Sequence, residues 1–156
     1  MQTTAWQLPQ ADESSLASAD LILLSADDAA RARFAAAAAL RSAPRLQPCD
    51  LQHLRDPEAL HRAIGAARGV LIHLPAGHHY HAQILQLAAL LAPRGVALAV
   101  LRDDEGTDEA LDAVCNLPPS TLRRLRQLLG NQHGNPSALI NQFALACGLS
   151  LLPEPN

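Results

Sequence analysis

Gly69 to Arg102 (GVLIHLPAGHHYHAQILQLAALLAPRGVALAVLR) restricts what this chain can fold into more than any other stretch. Two aliphatic runs, Val70 to Leu74 and Val96 to Leu101, flank a segment in which Ile84, Leu87, Ala88 and Leu91 recur at spacings of three and four. That recurrence is the signature of a helix burying one stripe. The flanking runs are apolar at nearly every position, as strands covered on both faces must be; a strand with one wet face alternates. Strand, helix and strand in this order make a βαβ unit, because two parallel strands need a crossover of about this length.

The rest of the chain extends the pattern. Asp20 to Ser25 (DLILLS) reads as a strand, and Ser25 stands in capping-box spacing to Asp28 at the head of an alanine-rich helix that Pro44 stops. Leu46 to Leu54 contains Pro48 and reads as an edge strand or extended loop. Asp56-Pro57 reads as cap and first residue of a helix that turns Leu60, Ala63, Ile64 and Ala67 inward and ends at Gly69. Beyond the acidic loop Asp103 to Glu105, Thr107 caps a helix using Leu111, Val114 and Leu117, and Pro118-Pro119 breaks it. Ser120 or Thr121 starts the next helix, with Leu122, Leu125 and Leu129 as its stripe, and Asn135-Pro136 begins a last one carrying Leu139, Ile140, Phe143, Ala144 and Cys147.

Residues 1–18 have no sustained period and read as an arm, 19–150 as a single domain, and 151–156 (LLPEPN) as a linker. Four strands alternating with helices, then helices alone, predict an α/β fold. The expected form is a flavodoxin-like doubly wound parallel sheet of about four strands, ordered 2-1-3-4, with a helical C-terminal extension.

Composition excludes several functions. A net charge of −3 with 3% aromatic residues leaves neither a basic footprint nor a stacking surface, so nucleic acid is not an expected partner. All twelve basic residues are arginine, which rules out a P-loop lysine and a Schiff-base lysine. The first strand runs into LLSADDAA, without the glycines of a dinucleotide-binding turn, and no G-x-S-x-G elbow occurs. Cys49, Cys115 and Cys147 stand more than thirty positions apart, too far for a CxxC pair. No apolar run approaches the roughly 18 residues of a membrane span, and a cytoplasmic location with no membrane partner is expected.

Candidate chemistry collects after the third strand. Four of the seven histidines, His73, His78, His79 and His81, fall within nine positions at the carboxyl end of that strand, where open parallel sheets bind ligands. A helix starting near His78 would place His78 and His81 on one face with Cβ atoms about 5–6 Å apart, close enough to share a divalent ion. His53 offers a further nitrogen, and Asp27 or Asp28 an oxygen. A helix N-terminus disfavours imidazolium and keeps the rings able to ligate. Such a mixed set suits Co²⁺, Ni²⁺ or Zn²⁺ better than Mg²⁺ or Ca²⁺. The bland alternatives stay open: solvated loop histidines, a His73 satisfied within the fold, and Arg123, Arg124 and Arg126 as the wet face opposite a leucine stripe rather than a carboxylate grip.

At these same residues the chain resembles the N-terminal region of the large subunit of aerobic cobaltochelatase, a relative of the porphyrin-binding subunit of magnesium chelatase. ADLILLSADDAARA is similar to that family's opening strand and helix, and HLPAGHHYHAQILQLAALLAPRGVALAVLRDDEGTDEAL to its second block. GNPSALINQFALACGL is similar to its third, with Asn141 at the matching place. Ser25, Gly77, Tyr80, Asp104, Pro136 and Asn141 are the informative positions. The chain departs from the family at His73, where the family has Arg, at Ala76, where it has Gly, and at His81, where it has Trp.

The resemblance implies contacts from Ser25, Gly77 and Tyr80 to a tetrapyrrole or corrinoid precursor, and partnership with a catalytic body or other cobaltochelatase subunits. The whole family enzyme inserts Co²⁺ into hydrogenobyrinic acid a,c-diamide with ATP-hydrolysing partners, in cobalamin biosynthesis. This chain, lacking the long catalytic body, is expected to be a non-catalytic domain or stand-alone relative of that subunit. Two other expectations stand beside it: an independent cobalt or nickel carrier built on His73, His78, His79 and His81, and a structural interaction domain.

Overall fold

A computed structural model describes residues 19–40, 45–65, 67–74, 80–102, 113–129 and 136–148. Four strands, β1 (Leu21–Ser25), β2 (Leu46–Asp50), β3 (Gly69–Leu74) and β4 (Ala97–Arg102), pair in parallel in the order β2-β1-β3-β4. Among the described residues the helices are α1 (Asp28–Ala39), α2 (Pro57–Ala63), α3 (His81–Leu91), α4 (Pro119–Leu129) and α5 (Pro136–Ala146), with 3₁₀ turns at Leu51–Arg55 and Ala92–Arg94. This is the doubly wound α/β architecture and strand order expected from the sequence.

The continuous aliphatic runs follow from burial on both faces. Successive side chains of a strand point to opposite sides. Ile22, Leu24, Val70, Ile72, Leu98 and Val100 accordingly pack on one side with Leu60 and Ile64 and with Ile84, Leu87 and Leu91 of α3. Leu21, Leu23, Leu71, Ala99 and Leu101 pack on the other, with Phe34 of α1, Leu125 of α4, and Leu139, Ile140, Phe143 and Ala144 of α5. A slip of one residue in any strand would exchange its two sets, so these two cores fix the register.

The outer edge of β4 is covered by side chains. Leu98 N–H donates to Asn116 Oδ1 (2.7 Å), Asn116 Nδ2 donates to Val96 O (3.0 Å), and Val100 N–H points to Cys115 Sγ (3.3 Å). These bonds occupy backbone groups that an open edge would offer to another chain.

Several local expectations need correction. Asp27, not Ser25, caps α1: its carboxylate accepts from the N–H groups of Ala29 and Ala30, while the Ser25 hydroxyl is used across the sheet. Leu46 to Leu54 is two elements, because Asp50 accepts from Gln52 N–H and starts a 3₁₀ turn. Asp56 and Pro57 do open α2, but the helix ends before Gly65, whose φ of 53° is the left-handed conformation that suits glycine. Gly69 instead begins β3, where its missing side chain lets α5 approach: a Cβ there would overlap Cys147 Sγ and stand 2.9 Å from Phe143 Cζ. The fourth helix starts at Pro119, with Leu122 N–H bonded to Pro118 O. The arm at 1–18, the Thr107 cap, Leu111, Asn135 and the linker at 151–156 lie outside the described residues.

Candidate functional site

The register brings Asp50, Ser25, His73 and Leu101 into one row across the carboxyl ends of all four strands. By strand alternation the row belongs to the side covered by α1, α4 and α5. Ser25 is wholly buried and His73 is 8% exposed, so their polar atoms need partners inside the protein. Ser25 Oγ and His73 Nδ1 stand 3.0 Å apart in a hydrogen bond, and Asp27 N–H donates to the same oxygen at 3.1 Å. One loop, one strand end and one imidazole are thereby joined through a single hydroxyl. Ser25 is too deep to act as a nucleophile; its chemistry is to orient the ring.

Arg31 completes the arrangement from α1. Arg31 is 9% exposed, and its guanidinium donates to the Ser25 carbonyl and to the Asp28 carboxylate and lies 3.7 Å from Asp50 Oδ2. A buried guanidinium needs this number of acceptors, because an unpaired charge in such a place is strongly destabilising. Cys49 precedes Asp50 on β2, and burial pushes its thiol up to about 12, outweighing the lowering by Arg31 and reinforced by Asp50. Burial likewise pushes Cys147 up to about 12 against the lowering by Arg68. Both are neutral thiols at physiological pH, neither nucleophiles nor metal ligands as they stand.

The remaining predicted residues are distributed differently. α3 begins at His81, with Tyr80 as its cap residue. His81 is exposed at the head of a helix that packs on the side opposite His73, and Tyr80 is half-buried against that opposite core. Gly77, His78 and His79 lie outside the described residues. Asp27 and Asp28 are occupied by the helix cap and by Arg31, and His53 is half-buried in the 3₁₀ turn. Among the described residues no group of three or more His, Cys, Asp or Glu side chains is placed to hold a metal ion. Arg123, Arg124 and Arg126 are exposed on the outer face of α4, opposite the buried Leu125.

The pair that geometry singles out, Ser25 with His73, was present in the sequence as two separate candidates. Arg31 and Asp50 were missed. Arg31 had a signal, the i, i+3 spacing from Asp28; Asp50 had none until the strand pairing was known.

The fold is similar to part of a solved structure, the catalytic subunit of cobaltochelatase from Mycobacterium tuberculosis. The two share 15% sequence identity at a TM-score of 0.59, over 81% of this chain and 10% of that one. The chain therefore spans about a tenth of that subunit's length. At this identity the likeness concerns the fold. No family model and no curated protein sequence matches the chain. No helix among the described residues is long and apolar enough to cross a membrane.

Proposed function

We propose that this chain is a non-catalytic α/β domain of the cobaltochelatase large-subunit kind, either part of such a subunit or a stand-alone relative. It acts in cobalt insertion during cobalamin biosynthesis by contacting the corrinoid precursor and other chelatase components. One observation supports the reading: over 81% of the chain the fold is similar, at a TM-score of 0.59, to a segment of a cobaltochelatase catalytic subunit. The resemblance at Ser25, Tyr80 and Asn141 supports it from the sequence side.

Within this reading the contact surface is the carboxyl edge of β1 and β3 on the side of α1. His73 takes the place of an arginine in the resemblance, and its imidazole, oriented by Ser25, is the group that meets an acidic side chain of the macrocycle in this reading. Tyr80 and Gly77 flank the same strand end in sequence. Co²⁺ is cargo in this account.

The test is retention of hydrogenobyrinic acid a,c-diamide, or of cobaltochelatase subunits, on the immobilised full chain. Saturable retention of either is the expected result; retention of neither ends the proposal. Cobalt or nickel carriage by His73, His78, His79 and His81 is checked separately by Co²⁺ titration. A saturable visible band lost in His78→Ala with His81→Ala would favour a carrier, and no band at millimolar metal removes it.

A further inference from the structure

Ser25 and His73 face one another in the pairing of β1 with β3, and counting donors and acceptors places the hydrogens of the bond between them. A serine hydroxyl has one hydrogen to donate and two lone pairs, while a neutral imidazole has one nitrogen that donates and one that accepts. Asp27 N–H donates to Ser25 Oγ at 3.1 Å, which occupies one lone pair. The hydroxyl hydrogen needs an acceptor inside the protein, because Ser25 is wholly buried. Among the described residues the partner of Ser25 Oγ that can accept it is His73 Nδ1, at 3.0 Å.

The opposite placement fails the same count. With a hydrogen on Nδ1, the ring and Asp27 N–H would both donate to Ser25 Oγ, and the hydroxyl hydrogen would be buried with nothing to bond, an arrangement that folded proteins avoid. The serine is also held from a second side, since Arg31 donates to its carbonyl. The hydrogen of the neutral ring therefore belongs on Nε2.

We propose that Ser25 is a positioning residue that fixes His73 with its hydrogen on Nε2, so that the ring donates to the group it meets and does not ligate a metal through that nitrogen. This rests on the reading that His73 meets the macrocycle, and it names the chemistry of the contact: an oxygen acceptor, either a carboxylate or an amide carbonyl. A metal at Nε2 would put the ring hydrogen on Nδ1 and leave the Ser25 hydroxyl hydrogen without an acceptor. His73 is in this way set apart from His78, His79 and His81 as a cobalt or nickel ligand.

The test is a long-range proton–nitrogen correlation spectrum of the full chain with isotope-labelled histidine, at neutral pH and without corrinoid. For His73 the expected result is an unprotonated shift at Nδ1 and a protonated shift at Nε2, with no averaging between two forms. Ser25→Ala should move both shifts toward the averaged values of an imidazole that exchanges its hydrogen between the two nitrogens. Ser25→Thr, which keeps the hydroxyl, should hold them at the wild-type values. Should a variant fold poorly, the wild-type spectrum still decides: a hydrogen on Nδ1, or averaged shifts, overturns the proposal. A folded Ser25→Ala chain with the wild-type shifts overturns it as well. Zn²⁺ added to the wild-type chain should leave both shifts in place, and a saturable movement of Nε2 to a metal-bound value would contradict the assignment. Because no corrinoid is present, the two readings fail separately. A hydrogen on Nδ1 together with retention of hydrogenobyrinic acid a,c-diamide ends this proposal alone, and the expected shifts without retention end the proposed function while the form of the ring stands.

Discussion

The two sides of the sheet end differently. On the side of α2 and α3, the rows of β1 and β3 are aliphatic to the last position, Leu24 and Leu74. On the side of α1, α4 and α5, the rows of β1 and β3 end instead in Ser25 and His73, between Asp50 of β2 and Leu101 of β4, with Arg31 brought in from the helix. A closed apolar layer needs only volume to be filled. A buried polar row must have every donor and acceptor matched, and such a row is retained where something other than packing is asked of it. The difference directs attention to one side of one edge.

The first way to break the contrast is at the apolar centre of the polar side. Phe143 is fully buried on α5 and touches the Gly69 position, so Phe143→Ala is expected to cost about 3–5 kcal/mol in chemical denaturation, as much as a core truncation on the other side. Gly69→Ala adds a methyl group where Cys147 and Phe143 already stand, and should cost about 1–3 kcal/mol by overpacking. Ser25→Ala removes one hydrogen-bond partner of a buried imidazole, at about 1–3 kcal/mol, and Ser25→Ala with His73→Leu should recover part of that loss because both ends of the bond are then removed together. Failure of the double variant to recover stability would mean that the pair is more than a matched bond.

Alkaline titration sharpens the comparison further. Cys49, on the side of α3, and Cys147, on the side of α5, both have thiols raised from an ordinary 9.0 to about 12. The unfolded chain loses these protons near pH 9 while the folded chain keeps them, so their contribution to stability is complete below that pH and is lost as pH rises toward about 12. Cys49→Ala with Cys147→Ala should flatten the fall in melting temperature over that window. Both thiols should also resist labelling in the native chain at neutral pH. At the small end, Leu145→Ser, at a 56% exposed position, should stay within about 0.5 kcal/mol of the wild type.

Much of this fold was legible because burial on two faces writes itself as unbroken aliphatic runs, and LILL, VLI and ALAVL could be little else than covered strands. Pro48 marked the edge strand and Asp56-Pro57 the start of α2 for local steric reasons. Errors fell where a side chain had two possible partners. Ser25 has the spacing of a cap, yet Asp27 is nearer the free N–H groups, and the hydroxyl is taken by a histidine 48 positions away. Sequence distance does not tell on which side of the sheet His73 and His81 fall. His73 belongs to a strand and bonds toward α1, while His81 opens a helix on the opposite layer. Asn116, which closes the β4 edge, gave no sequence signal, because its role depends on the register of a strand that it merely passes.

The most direct measurement is an absorption titration of hydrogenobyrinic acid a,c-diamide with the wild-type chain, His73→Ala and Leu145→Ser. If the polar row meets the macrocycle, the wild type and Leu145→Ser saturate alike and His73→Ala binds about tenfold more weakly, a loss of about 1.4 kcal/mol. Equal binding by all three proteins, or no saturation by any, would contradict the account.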